Sequence, residues 1–128
     1  MKYQELTRMI IGHAMTVHGT LGNGFQEVIY QRALEIEFSL NEVNFKREFE
    51  MPVIYHNTQI GTRRVDFLVD EIISVELKAL TELQEVHFAQ AINYLEAYNL
   101  EIGLLINFGA KSLQFHRFKN KNFKPLNP

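Results

Sequence analysis

Cysteine is absent from this chain of 128 residues, which excludes disulfides, thiolate metal sites and cysteine nucleophiles. That is compatible with a reducing compartment, and a cytoplasmic location is the expectation. No run approaches the roughly 20 apolar residues of a membrane span, so no membrane partner is expected. The opening stretch MKYQELTRMIIGHAM holds no long apolar run, and no signal peptide is expected there. A strong charge of one sign is also missing: the formal net charge of −2 carries no overall signature of nucleic-acid binding. Internal repeats, low-complexity tracts and domain linkers are lacking too. Residues 1–118 therefore read as one domain, followed by a basic, loosely ordered tail at 119–128. From Lys111 onward there are five basic residues (Lys111, Arg117, Lys119, Lys121, Lys124) and no acidic ones. Such a segment can meet phosphates, although it is more often merely solvated.

What is present is an ordinary globular composition, 46% hydrophobic and 22% charged, with length enough for a real core. Residues 3–21 predict a helix with Leu6, Ile10, Ala14 and Val17 at helical spacing. Leu21-Gly22-Asn23-Gly24 is a glycine-rich corner that permits a sharp reversal. A second helix is predicted over 25–40, with Gly24, Glu27, Tyr30 and Leu34 along one stripe. Residues 45–50 and 53–55 read as extended, interrupted by Pro52, which suggests an edge or a bend. A turn at His56-Asn57-Thr58 leads to the stretch Arg63–Ala79, read as two short strands joined tightly at Asp70-Glu71. A third helix is predicted over 84–99, with Phe88, Ala91, Ile92, Leu95 and Tyr98 apolar and His87, Gln90 and Tyr94 on a polar stripe. A buried-type strand at 101–108 and an alternating one at 111–118 complete the chain. The strand–helix–strand segment 72–108 has the length of a right-handed parallel crossover. The order is thus α-α-β-β-β-α-β-β, an α/β sandwich with a mixed central sheet flanked by helices.

The stretch Arg63–Ala79 carries the chemistry. Alternation puts Val65, Phe67 and Val69 on one face and Arg64, Asp66 and Leu68 on the other. On the next strand Ile73, Val75 and Leu77 oppose Ser74, Glu76 and Lys78. An unpaired charge is costly to bury, so charged residues near strand centres need a reason. Asp66 and Glu76 on adjacent strands offer two carboxylates to a hard cation such as Mg²⁺, and the Leu77 carbonyl offers a further oxygen. Lys78 faces the same space and suits the positioning of a water or the stabilising of negative charge. The competing reading is an exposed sheet face with a cross-strand salt bridge, and spacing alone slightly favours it. Glu27 reads either as a residue complementing the helix dipole or as a further carboxylate for the site. His18 is either a packed histidine or a group near phosphate. The stripe of His87, Gln90 and Tyr94 serves either a helix–sheet interface or the site itself.

The run Val17–Tyr30, with Gly24, Glu27 and Tyr30 at its end, resembles the signature of the GxxExxY family. Val65–Val69, Val75–Ala79, His87–Gln90 with Asn93–Leu95, and Gly103–Gly109 extend the resemblance over nearly the whole chain. That family is placed in the PD-(D/E)XK nuclease superfamily. The resemblance implies a restriction-endonuclease-like three-layer sandwich. It implies that Asp66 and Glu76 bind Mg²⁺ or Mn²⁺ with help from Glu27, and that Lys78 acts beside them. Gln90 and Tyr94 are similar to the Gln-x-x-x-Tyr element of RecB-like nucleases. Val65 stands where the superfamily's name places proline. The resulting expectation is a divalent-metal-dependent nuclease hydrolysing phosphodiester bonds in DNA, acting as a homodimer. Its catalytic group would be Asp66, Glu76, Lys78 and Glu27, with Gln90, Tyr94, His18, His87, Tyr30 and Arg64 binding or supporting. Arg63, Lys111 and Arg117 join Arg64 as candidates for phosphate contacts. The alternative is a non-catalytic nucleic-acid-binding or protein-assembly module on the same fold.

Overall fold

A computed structural model describes residues 3–125. Helix α1 (Gln4–Leu21) buries Thr7, Ile10, Ala14 and Val17, one stripe at steps of three and four. It ends at Gly22, whose φ of 76° is a left-handed value that glycine takes without strain. Helix α2 (Glu27–Leu40) starts two residues later than the apolar pattern predicts and buries Tyr30, Gln31, Leu34 and Phe38. The Tyr30 hydroxyl fastens the corner between the helices. It donates to the Gly22 carbonyl and accepts from the Phe25 N–H at 3.1 Å.

Strands β1 (Phe45–Tyr55) and β2 (Thr58–Val69) form a long antiparallel hairpin. Its turn residues His56 and Asn57 both take positive φ, as a two-residue hairpin loop requires. Of the edge or bend that Pro52 suggests, the edge is found, and the strand runs through it unbroken. Pro52 pairs with Thr62 on the edge strand of the sheet, where a missing N–H leaves no inner ladder broken. Strand β3 (Ile73–Lys78) follows a turn at Asp70-Glu71, both again at positive φ. Helix α3 (Glu85–Ala97) then crosses over to β4 (Ile102–Asn107), which lies parallel to β3. Strand β5 (Gln114–Lys119) closes the far edge antiparallel to β4. The spatial order is β1-β2-β3-β4-β5, a mixed sheet.

The two faces of the sheet are covered differently. Phe67, Val69, Ile73, Val75, Leu77, Ile102, Leu104 and Ile106 point toward α1 and α2 and form the main core with Ile10, Tyr30, Leu34 and Phe38. Tyr30 stacks on Phe108 with ring centroids 4.7 Å apart. On the opposite face Leu95 of α3 lies so close to Gly103 that an added Cβ would stand 3.0 Å from its side chain. Three layers result, as the element order predicts. The tail is fastened further than its composition suggests. Asn120 is buried and donates to the carbonyls of Leu95 and Leu100, and the Lys124 N–H donates to Asn99. The last three residues of the expected loose tail lie outside the described ones. Among the described residues no helix is long and apolar enough to cross a membrane.

Candidate active site

β2 and β3 pair only from Phe67↔Val75 to Val69↔Ile73. Beyond that point the ladder stops, and the gap between the strands becomes a pocket of about 510 Å³. Its walls are Glu27, Arg63, Arg64, Asp66, Glu76, Leu77, Lys78 and Gln90. The gap is open to both helical layers, so α2 supplies Glu27 and α3 supplies Gln90.

Asp66 stands at the apex. Its carboxylate accepts the Leu77 N–H at 2.7 Å, taking the place of a main-chain partner across the gap. Its other oxygen accepts from Gln31 Nε2 of α2, also at 2.7 Å. Across the gap, Glu76 is buried and bound by Arg63, whose guanidinium lies 3.0 Å from Oε1. The cross-strand ion pair weighed above is therefore present, but inside a pocket rather than on an open face. Arg63 also donates to the Gln90 carbonyl at 2.8 Å and lies over the Tyr94 ring, 5.3 Å from its centroid. The Leu77 side chain is buried in the main core, so Leu77 reaches the pocket through its backbone. Its N–H points to Asp66, and in a strand the carbonyl of the same residue points the same way.

The electrostatics show surplus negative charge. Burial raises the carboxyl pKa of Asp66, opposed by its bonds to Leu77 and Gln31. Burial also raises Glu76, opposed by Arg63 and reinforced by Asp66. Glu27 is raised by burial and then by repulsion from Asp66. Lys78 attracts all three carboxylates yet forms a salt bridge with none. Among the described residues, no three acidic or histidine side chains converge closely enough to cage a metal by themselves. Gln31 and Leu77 hold Asp66 while Arg63 holds Glu76, and Glu27 shares the pocket with both. The donor set still fits a hard cation. Mg²⁺ needs only one or two protein carboxylates beside waters and substrate phosphates.

The other sequence candidates divide clearly. Arg64 and Gln90 line the pocket. Arg64 turns outward to pair with Glu48 at 3.6 Å. Tyr94 sits behind Arg63, 1% exposed, its hydroxyl without a partner and its pKa pushed up to about 12 by burial. Tyr30 lies in the core. His18 Nε2 meets the Ala110 carbonyl at 3.0 Å. His87 Nδ1 accepts the Gln84 N–H and caps α3. Lys111 and Arg117 follow β4 toward and along β5, away from the pocket, and Arg117 donates to Thr7.

Three residues escaped the sequence reading. Gln31 follows Glu27 by one helical turn, which was the available signal. Glu48 lies opposite Asp66 in the β1–β2 register, where the regular pairing is interrupted, and has a φ of 51°. Asn107 is fully buried and brackets Leu80, donating to its carbonyl and accepting its N–H, both at 2.9 Å. It anchors the chain just past Lys78.

A family model for the PD-(D/E)XK nuclease superfamily matches residues 4–118. The chain belongs to that superfamily. The crystal structure of SSO0001 is similar to this superfamily member, with a TM-score of 0.57 and 20% identity. The match covers 77% of this chain and 50% of that one, so this chain spans about half the length of the solved relative. At that identity the likeness concerns the fold. No curated protein matches the chain.

Proposed function

We propose that this superfamily member is a nuclease that hydrolyses phosphodiester bonds in DNA with a divalent metal. One observation carries the reading: Asp66, Glu76, Lys78 and Glu27 line a single pocket at the point where β2 and β3 part. Asp66, Glu76 and the Leu77 carbonyl would hold Mg²⁺ or Mn²⁺, with Glu27 assisting. The ion would supply Lewis-acid polarisation of the phosphate and a lowered pKa for water. Lys78 places a positive charge beside the reacting phosphate and orients the attacking water. Gln31 and the Leu77 N–H keep the Asp66 carboxylate turned into the gap. Arg63 and Arg64, which line the same pocket, would be candidates for phosphate contacts. Gly24, Glu27 and Tyr30 support the narrower GxxExxY assignment, and a homodimer follows from the same resemblance.

Cleavage of supercoiled, linear and branched DNA with Mn²⁺ tests the reading. Wild type should cut, and Asp66→Ala and Lys78→Ala should each lose at least about 100-fold, the scale of losing one catalytic electrostatic group. Equal activity in all three proteins would overturn it. The Arg63–Glu76 ion pair also supports a second reading, a non-catalytic nucleic-acid-binding or assembly module in which the guanidinium neutralises Glu76 permanently. A wild type that binds DNA, binds no Mn²⁺ at millimolar concentration and cuts nothing would favour that module.

A further inference from the structure

Arg63 and Arg64 are neighbours in sequence and both line the pocket, yet they are held in opposite ways. Arg64 pairs outward with Glu48 at 3.6 Å, and its side chain is 59% exposed. Arg63 turns inward, with its side chain 29% exposed and that of its partner Glu76 only 10%. Its seat has three walls from two elements. β3 gives the Glu76 carboxylate at 3.0 Å, and α3 gives both the Gln90 carbonyl at 2.8 Å and the Tyr94 ring. A planar guanidinium suits such a seat, since it bonds through separate nitrogens while stacking on a ring.

The two ligand carboxylates differ in what holds them. Asp66 accepts from an amide side chain and a backbone amide, both neutral, and keeps lone pairs to offer. Glu76 is bound to a full positive charge. A divalent cation entering the pocket therefore meets a like charge already sitting on one of its ligands. We propose that Arg63 is the resident counter-cation of this site, holding Glu76 until a divalent metal displaces it. The inference rests on the metal-site reading above. It assigns Arg63 a positioning role distinct from direct phosphate contact.

Calorimetric titration with MnCl₂ alone, without nucleic acid, tests it. Arg63→Gln should bind Mn²⁺ more tightly than wild type by at least about three-fold, because a competing charge has left the ligand. Arg64→Gln removes a charge that acts on Asp66 only through space and bonds neither ligand carboxylate, and should change affinity less than about two-fold, as an exposed and screened charge does. Equal affinity for Arg63→Gln and wild type, or equal tightening by both variants, would overturn the proposal. A side-chain NMR experiment reads the same event in wild type. Saturating Mg²⁺ should move the Arg63 Nε–H resonance toward that of a free guanidinium and leave Arg64 in place. An unmoved Arg63 resonance in metal-saturated protein would also overturn it. If neither wild type nor Arg63→Gln binds metal, the metal-site reading falls. If wild type binds and Arg63→Gln binds no better, only the role of Arg63 falls.

Discussion

Glu27, Asp66 and Glu76 are held in a way that opposes their ionisation. Burial raises all three, and mutual repulsion adds to the rise at Glu27 and Glu76. The folded protein therefore binds protons at these groups more tightly than the unfolded chain does. Where the unfolded state binds fewer protons, stability falls as pH rises. Their contribution is accordingly lost as pH rises from the ordinary carboxylate range through the raised values, and regained on acidification through the same window. Above that window the site is strained by its own charge. Glu27→Gln removes one of these charges on the first turn of α2, where no side-chain hydrogen bond among the described residues holds it. In metal-free buffer the variant should show a smaller loss of melting temperature than wild type as pH rises from the ordinary carboxylate range through the raised values. Magnesium should narrow the wild-type loss as well, since a cation in the pocket relieves the same repulsion. Tyr30 predicts a different outcome. Its hydroxyl serves the Gly22–Phe25 corner, not the pocket. Tyr30→Phe should lower unfolding stability in urea by about 1–3 kcal/mol, the cost of stranding buried partners, and leave Mn²⁺ affinity unchanged.

Among the elements, the end of β3 depends on the segment after β4. Phe108 N–H bonds the Lys78 carbonyl at 2.8 Å, and Asn107 brackets Leu80. Gly109 then passes so close that a Cβ there would stand 2.3 Å from the Leu80 nitrogen and 2.4 Å from the Ala79 carbonyl carbon. Both neighbours are backbone and cannot swing aside. Gly109→Ala should destabilise by about 1–3 kcal/mol or more, the scale of overpacking a rigid site, as measured by urea unfolding. It should also displace the residues immediately following Lys78. Much of this element plan was legible. Two-residue alternation assigned Val65, Phe67, Val69, Val75 and Leu77 to the core, and 3.6-residue spacing assigned Ile10, Ala14 and Val17. What escaped were the pairings across distance. Tyr30 and Gln31 lie about 60° and 40° to either side of Glu27 on the helix, so a stripe through Glu27 does not reveal which flank meets the sheet. The structure chooses both: Tyr30 enters the core and Gln31 reaches Asp66. Likewise alternation put Arg64 on the face of Asp66, yet Arg63 is the arginine that binds Glu76, because that depends on α3, more than twenty residues away. Pro52 suggested an edge or a bend, and it stands on the edge strand β1.

At the scale of the molecule, charge limits how the DNA proposed as substrate could be held. The net charge of −2 provides no general attraction to a polyanion. The basic residues of the C-terminal segment do not compensate at the site, because β5 occupies the sheet edge two strands from β3. Arg63, Arg64 and Lys78 remain beside the pocket. A cation that neutralises a phosphate releases counterions and contributes about −0.9 to the slope of log affinity against log salt. Two or three such contacts from one protomer give a slope of about −2 to −3. The homodimer expected from the family resemblance would bring two pockets to one duplex and about double that value. Fluorescence anisotropy with a labelled duplex and Ca²⁺ in place of Mg²⁺, across a range of salt, measures the slope. Light scattering on the same samples counts the protomers. Arg64→Ala should flatten the slope by about one per protomer bound, whereas Lys111→Ala should leave it unchanged. A slope steepened by the tail, with Arg64→Ala silent, would move the nucleic-acid surface from the β2–β3 gap to the β5 edge and separate binding from the carboxylate pocket.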